Sequence, residues 1–212
     1  MKSKVTTPPA IEPVTLDEVK SSLRITNAAE DTLLTQYIQD ARVFVERKTG
    51  RKLIDQTITA YYDGFDYDGK GDDWWSGHRM GAVTEVHGGQ KLCLEFAPVA
   101  SITSLNAVAG DGSETLVDSS EYYLDNYDDD TRSFLRSENG ITKGTRKQNN
   151  LKVVYQAGYG ANASDVPSAL RRAIIALVGS IYSSRGDCST ESCADSCGVS
   201  KMIQQYALDL LR

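Results

Sequence analysis

The sequence predicts an α+β protein, with a mainly helical core of about four helices and a β-rich insertion between the second and third helices. Apolar residues recur at three-and-four spacing from about residue 30 to 49 and again after Pro167, which indicates helices. Between them, residues 56–156 carry short β-branched and aromatic runs separated by Gly, Asp and Asn, which is typical of strands. We expect one domain over 1–212, made of a flexible arm (1–14), N-terminal helices (15–55), the insertion (56–156) and C-terminal helices (164–212).

Two helices are predicted before the insertion. Thr15-Leu16-Asp17-Glu18 has the form of a capping box, so a short helix is expected from there to about residue 24. The second helix runs from about residue 30 to 49 and is followed by Gly50, which is expected to cap it in the left-handed conformation.

The insertion is predicted to contain six strands of unknown pairing order. They are expected around 57–62, 91–96, 102–107, 122–126, 133–137 and 151–155, with turns rich in Gly, Asn and Asp between them. Residues 63–89 are expected to form a long mobile loop that carries Trp74 and Trp75. These tryptophans either anchor an interface or fold back over the strands, and the residues favour neither alternative.

The C-terminal part is predicted to be helical with an interruption. A capping residue in 164–165 and a first-turn Pro167 predict a third helix to about residue 184, and its apolar residues leave little polar surface. Such a helix is either central to the core or packed on a neighbouring subunit. Residues 185–198 read as a Gly/Ser/Cys linker, and 200–211 as a last amphipathic helix.

Composition excludes several classes of function. The net charge of −6, from 29 acidic and 23 basic residues, argues against a protein that grips phosphate backbones. No apolar run approaches the roughly 20 residues of a membrane span, and the N-terminal residues lack a secretory signal. We therefore expect no membrane partner and four reduced cysteines in a reducing cytoplasm.

No catalytic or metal site is predicted, and hence no cofactor and no enzyme. In the loop expected at 63–89, Asp66, Asp68 and Gly71 match three positions of a calcium-binding loop. The later ligand positions are not carboxylates, so a calcium site is not favoured. Cys188, Cys193 and Cys197 lack a Cys-x-x-Cys pair, so a flexible reduced linker is favoured over zinc. The sequence shows no nucleophile elbow, zinc-protease motif or phosphate loop. A small metal-dependent hydrolase is kept as the less favoured alternative.

Three segments at the two ends of the chain form an ordered set of short motifs. The first is Glu12-Pro13-Val14-Thr15-Leu16-Asp17-Glu18-Val19-Lys20 with Leu23-Arg24-Ile25. The second is Asp31-Thr32-Leu33-Leu34, continued by Ala41 to Glu46 and by Thr49 to Ile54. The third is Val153 to Gly160 with Val166-Pro167-Ser168-Ala169-Leu170 and Ile174. Through these segments the chain resembles the phage head-tail connector (adaptor) family, in a larger form distinguished by its β-rich insertion.

This resemblance implies a virion structural protein at the head-tail interface, assembled in the host bacterial cytoplasm. It implies a homo-oligomeric ring of about twelve copies between the portal protein and a tail-completion protein, with transient non-specific passage of DNA. In similar proteins the C-terminal segment reaches the portal, so the expected interface residues are Met202, Ile203, Tyr206 and Leu210, together with Trp74 and Trp75. Another head-completion or tail-terminator protein is the alternative within the same class.

Overall fold

The protein, as a computed structural model, is described for residues 2–63, 66–67, 90–126, 132–137, 141, 144–185 and 189–208. It forms two compact units. The strand unit comprises Met1–Thr6, Thr57–Glu95 and Ser101–Gln156, and the helical unit comprises Thr7–Gln56, Phe96–Ala100 and Ala157–Arg212. Apart from Met1–Thr6, Gln56 and a gap at 96–100, the strand unit therefore covers the same residues as the predicted insertion at 56–156. That all 212 residues act as one connector domain stays a prediction.

Five α-helices make up the described part of the helical unit. They are α1 (Leu16–Leu23), α2 (Asp31–Thr49), α3 (Ser168–Ser184), α4 (Thr190–Ser196) and α5 (Val199–Gln204). Helix α3 contacts each of the other four, so its apolar residues form the centre of the core. Leu170, Ala173, Ile174 and Leu177 are all fully buried there. Of the two interpretations of this apolar helix, the central position within the unit is the one observed.

The first two helices begin and end close to the predicted residues. The Thr15 hydroxyl accepts a hydrogen bond from the Glu18 amide at 3.3 Å, and the Glu18 carboxylate accepts one from the Thr15 amide at 2.8 Å, so the predicted capping box is confirmed. Gly50 caps α2 with a φ of 71°, a conformation that glycine adopts without steric cost.

In the described residues, nine strands form two sheets. The five-stranded sheet has the order β1 (Lys2–Thr7), β2 (Gln56–Tyr62), β9 (Leu151–Ala157), β5 (Val99–Val108) and β6 (Glu114–Leu116). The four-stranded sheet has the order β3 (Asp66–Tyr67), β4 (Gln90–Cys93), β8 (Phe134–Ser137) and β7 (Tyr123–Asp125), and its strands pair antiparallel.

Alternating burial along β2 and β9 shows why these segments are strands. In each, every second side chain from the first residue onwards is buried and those between are half-buried, the pattern of a sheet with one face on a core. Gly144 lies so close to β5 that a Cβ atom there would be 1.9 Å from the Val108 carbonyl oxygen.

The α+β fold class is confirmed, and each of the six predicted strands overlaps an observed one. The expectation of a flexible arm over residues 1–14 is wrong for Lys2–Thr7, which form β1. Two shorter strands, β3 and β6, were also missed by the sequence reasoning. β3 falls in the loop expected at 63–89, of which 64–65 and 68–89 lie outside the described residues. β1 and β6 are polar edge strands, in which exposed side chains hide the alternation of apolar and polar residues that marks a half-buried strand.

The C-terminal predictions need three corrections. Pro167 is the N-cap of α3 rather than a first-turn residue, because 163–165 form a separate 3₁₀ turn capped by Asn162 and Asp165. The predicted linker at 185–198 contains α4, which Ser189 caps by accepting a hydrogen bond from the Ser192 amide. The last helix covers only Val199–Gln204, so it begins one residue before the predicted 200–211 and ends well short of it, and residues 209–212 lie outside the described part.

The central position of α3 predicts a large cost for truncating it. Leu177→Ala should lower the free energy of unfolding by about 2–5 kcal/mol, because a fully buried leucine leaves a cavity. Ile175→Ala, at a half-buried position on the same helix, should cost less. Chemical denaturation followed by helical circular dichroism measures both, and equal costs would contradict a core centred on α3.

The Glu18 capping contact predicts an acid dependence of stability. The Thr15 amide hydrogen bond holds the pKa of the Glu18 carboxyl below its ordinary value of 4.5, and hydrogen bonding and charge from Arg171 act in the same direction. A lowered folded-state pKa gives stability that is present above 4.5 and is lost as pH falls through the folded-state pKa.

Glu18→Gln should therefore reduce the melting temperature near neutral pH and flatten its decline in acid. The measurement is thermal unfolding from about pH 6 to about pH 3, with Asp17→Asn as the control carboxylate in the same helical turn. An unchanged acid profile in Glu18→Gln would refute the assignment.

Candidate functional site

The C-terminal segment of the helical unit is fixed to the end of α2 by a buried arginine. Arg51 follows Gly50 and is 1% exposed. Its Nε donates a hydrogen bond to the Tyr206 carbonyl oxygen at 2.6 Å, and a guanidinium nitrogen donates to the Tyr159 hydroxyl at 3.2 Å. A buried guanidinium is stabilised only when acceptors surround it, so these contacts fix the path of the chain after α5. We call Thr49, Gly50, Arg51, Tyr206 and Leu208 the C-terminal anchor.

Backbone contacts hold the last described residue in the same anchor. The Leu208 amide donates to the Thr49 carbonyl oxygen at 2.8 Å. The Leu208 side chain packs over Gly50, where a Cβ atom would lie 3.4 Å from its Cδ1. Residues 209–212 thus follow from a fixed point beside the end of α2.

A buried carboxylate organises the turn that presents Arg51. Glu46 is 4% exposed and accepts hydrogen bonds from Lys52 Nζ at 3.0 Å, Gln56 Nε2 at 2.8 Å and the Leu53 amide at 3.3 Å. Lys52 Nζ also lies 4.6 Å from the centroid of the Phe96 ring. Because these three donors to the Glu46 carboxylate all belong to residues 52–56, that segment is held against α2.

The structure separates the predicted interface residues into three groups. Ile203 is 3% exposed and belongs to the apolar core, so it is not a surface residue of the helical unit. Met202 and Tyr206 are half-buried and pack against that core. Trp74, Trp75 and Leu210 lie outside the described residues.

Sequence reasoning missed the anchor residue Arg51 and the buried carboxylate of Glu46. The available signal was a charge in an apolar setting: Glu46 follows Phe44-Val45, and Arg51-Lys52 precedes Leu53-Ile54. Charged residues among apolar neighbours are buried only when paired, and the partner of Arg51 is a backbone carbonyl 155 residues away, which spacing cannot reveal.

The cysteines differ from the expectation of four reduced thiols. Cys193 is disulfide-bonded, so the prediction of a fully reduced cluster is wrong for it. Cys93 and Cys197 are free, and Cys188 lies outside the described residues. Among the described residues no three His, Cys, Asp or Glu side chains converge as metal ligands.

No helix in the described ranges has both the length and the apolar character that crossing a membrane requires.

The N-terminal part of the chain is similar to a known protein family. Residues 13–71 match the family described as phage gp6-like head-tail connector protein. The matched region includes α1, α2 and the anchor residues Thr49 to Arg51. The resemblance to head-tail connectors is thereby confirmed. The sequence has no significant match among curated proteins.

Solved structures extend the likeness to the whole chain. A chain in the structure titled "Neck of empty GTA particle computed with C6 symmetry" superposes with a TM-score of 0.76 at 21% identity, covering 100% of this chain and 98% of that one. Chains in "Virion of native gene transfer agent (GTA) particle" and "Neck of native GTA particle computed with C12 symmetry" give TM-scores of 0.75 and 0.72, both at 22% identity with the same coverage.

The fold is therefore that of a protein from the neck of phage-like particles. Together with the family match, it supports a virion structural role as a head-tail connector.

The C-terminal anchor predicts that Arg51→Leu loosens the chain after α5. Loss of the guanidinium removes its hydrogen bonds to the Tyr206 carbonyl and to the Tyr159 hydroxyl, which costs about 1–3 kcal/mol. The Leu208 amide hydrogen should then exchange roughly 5- to 150-fold faster. Hydrogen exchange resolved to single amides measures this. Arg47→Leu, which removes an exposed arginine from the last turn of α2, is the control and should leave the Leu208 rate unchanged. Equal rates in the two variants would contradict the anchor.

Proposed function

We propose that this chain is a head-tail connector (adaptor) that forms a ring between the portal and the tail of a phage-like particle. The observation that carries the proposal is the likeness of its full length to a chain from a particle neck, with a TM-score of 0.76. The neck structures were computed with C6 and C12 symmetry, which favours a ring of twelve copies. The protein then resides in the virion, after assembly in the host bacterial cytoplasm.

The C-terminal segment is proposed to contact the portal. The anchor supports this because it holds the described residues up to Leu208 in place, and a preorganised surface loses less conformational entropy on binding. Half-buried Met202 precedes Tyr206 in the sequence, half-buried Tyr206 belongs to the anchor, and Leu210 follows it in the sequence, so these three remain the proposed contact residues. Ile203 contributes to the core instead. Trp74 and Trp75 are proposed for a second contact, with the tail-completion protein or with the capsid.

The role toward DNA is proposed to be passive. The chain carries 29 acidic and 23 basic residues, and such a surface gives little non-specific affinity for a duplex that must slide past it. The activity is binding without catalysis, in keeping with the structural proteins of phage-like particles that this chain resembles.

Capture by the portal protein of the same genome tests this function. Purified chain should bind portal rings, and Leu210→Asp should weaken the binding by at least about 10-fold, because a buried apolar contact would then carry a charge. Leu33→Asp is the matched control, since Leu33 is 39% exposed on α2 and lies away from the C-terminal anchor in sequence. Affinity is measured by surface-immobilised portal rings and the complex is imaged by electron microscopy.

Failure of the wild-type chain to bind portal rings would reject the connector role. Binding to tail tubes in place of portal rings would favour a tail-terminator protein.

A further inference from the structure

The two open edges of the five-stranded sheet carry opposite charge. In the order β1-β2-β9-β5-β6, the described strands at the ends are β1 and β6. Each end strand presents backbone N–H and C=O groups on its outer side that its own sheet does not use. Four strand spacings separate the two edges, about 19 Å, so they lie on opposite sides of the sheet.

The β1 edge is basic. Lys2 and Lys4 are both exposed, and residues 2–10 contain no carboxylate. The strand is held to its neighbour on the outer face by the hydroxyls of Thr6 and Thr59, which are 2.7 Å apart. The two lysines thus project from a strand whose position is set by the sheet.

The β6 edge and the chain that follows it are acidic and partly apolar. Residues 111–121 contain four carboxylates, no lysine and no arginine, and every side chain in the stretch except Val117 is exposed. Leu116 is 69% exposed at the centre of this stretch. It lines a cavity of ≈ 400 Å³ together with Ala107, Val117, Glu121 and Gly144.

Two of these carboxylates are held in the charged form by their own turns. The pKa of Asp111 is lowered by hydrogen bonds from the hydroxyl and amide of Ser113, and the pKa of Asp118 by hydrogen bonds from the amide and hydroxyl of Ser120. Their negative charge therefore persists below neutral pH.

Two basic residues near the β6 edge, Lys152 and Arg146, lie at the end of β6 beside the hairpin turn and not at the end that leads to Asp118. Lys152 pairs with Glu114 at 2.9 Å, and the Arg146 amide donates to the Val108 carbonyl oxygen, beside the hairpin turn. At the opposite end, the Val117 amide donates to the Leu105 carbonyl oxygen, and Asp118 and Glu121 follow. The acidic end of the β6 edge is thus formed by 116–121.

These charges determine which edges can meet. Two β1 edges repel through their lysines, two β6 edges repel through their carboxylates, and only a β1 edge facing a β6 edge brings opposite charges together. Such a contact joins different surfaces of identical chains, which is the head-to-tail type that closes into rings.

We propose that the β6 edge of one copy docks on the β1 edge of the next copy of this chain. Lys2 and Lys4 of one copy then face Asp118 and Glu121 of its neighbour, and Leu116 is covered by the neighbour's strand. The inference rests on the proposed ring-forming function and names the surface through which adjacent copies meet.

Two charge-reversed variants test the contact. The β1-reversed variant is Lys2→Glu with Lys4→Glu. The β6-reversed variant is Ser119→Lys with Glu121→Lys, which keeps the Asp118 cap intact. Each variant alone has like charges on both edges, so its self-association constant should fall at least about 10-fold below that of wild type.

An equimolar mixture of the two variants should regain self-association, because each junction in an alternating ring again joins opposite charges. Sedimentation velocity of the full chain, at about 50 mM and about 500 mM NaCl, gives the constants, and high salt should weaken the wild-type contact. The matched controls carry the same charge changes elsewhere on the surface: Arg47→Glu with Lys201→Glu, and Gln39→Lys with Asp40→Lys. Melting temperatures confirm that all variants fold.

The outcomes separate this contact from the connector role. Absent wild-type self-association, variants that associate like wild type, or a mixture that fails to recover would each overturn the edge contact. Portal capture, measured separately on the same variants, reports on the connector role. If the variants bind portal rings but their mixture does not regain self-association, the edge contact is rejected and the connector role is not.

Discussion

A carboxylate and a guanidinium buried where α2 ends set the arrangement of the helical unit. Glu46 accepts hydrogen bonds from Lys52, Gln56 and the Leu53 amide, and Arg51 donates to the Tyr206 carbonyl. Removing the Lys52 ammonium takes away a cation that compensates the buried Glu46 carboxylate, and a poorly compensated buried charge is more costly than a lost apolar contact. The network joins the region matched by the connector family to the C-terminal residues, and the path of the last described residues depends on it.

Local signals predicted the elements whose residues act on near neighbours. The capping box at Thr15 and Glu18, the glycine cap at Gly50 and the β-branched and aromatic run at 57–62 each involve residues within a few positions of one another, and the predicted caps and strand all appear in the structure. The elements that were missed depend on contacts distant in sequence. Lys2–Thr7 becomes a strand only because β2 lies beside it, and α4 packs the buried Cys193 and Ala194 on a core assembled from four other helices.

The candidate site also combines residues that could be predicted from the sequence with features that depend on distant contacts. The resemblance predicted interface residues in the C-terminal segment. In the structure Met202 and Tyr206 lie at the edge of the core, whereas Ile203 is buried in it. Helical periodicity identifies an apolar face but does not state whether that face meets the same chain or another one. The oppositely charged edges of the sheet were not detectable either, because strand order decides which segments become edges.

Gly144 illustrates how an irregular segment can be constrained as tightly as a core. A side chain there would collide with the Val108 carbonyl oxygen at 1.9 Å, and a backbone atom cannot move aside as a flexible side chain can. As phage-like particles diverge, this position should drift more slowly than the exposed residues 145–148 beside it. The glycine would then serve as a landmark for locating the same β-rich unit in relatives whose sequences no longer align by eye.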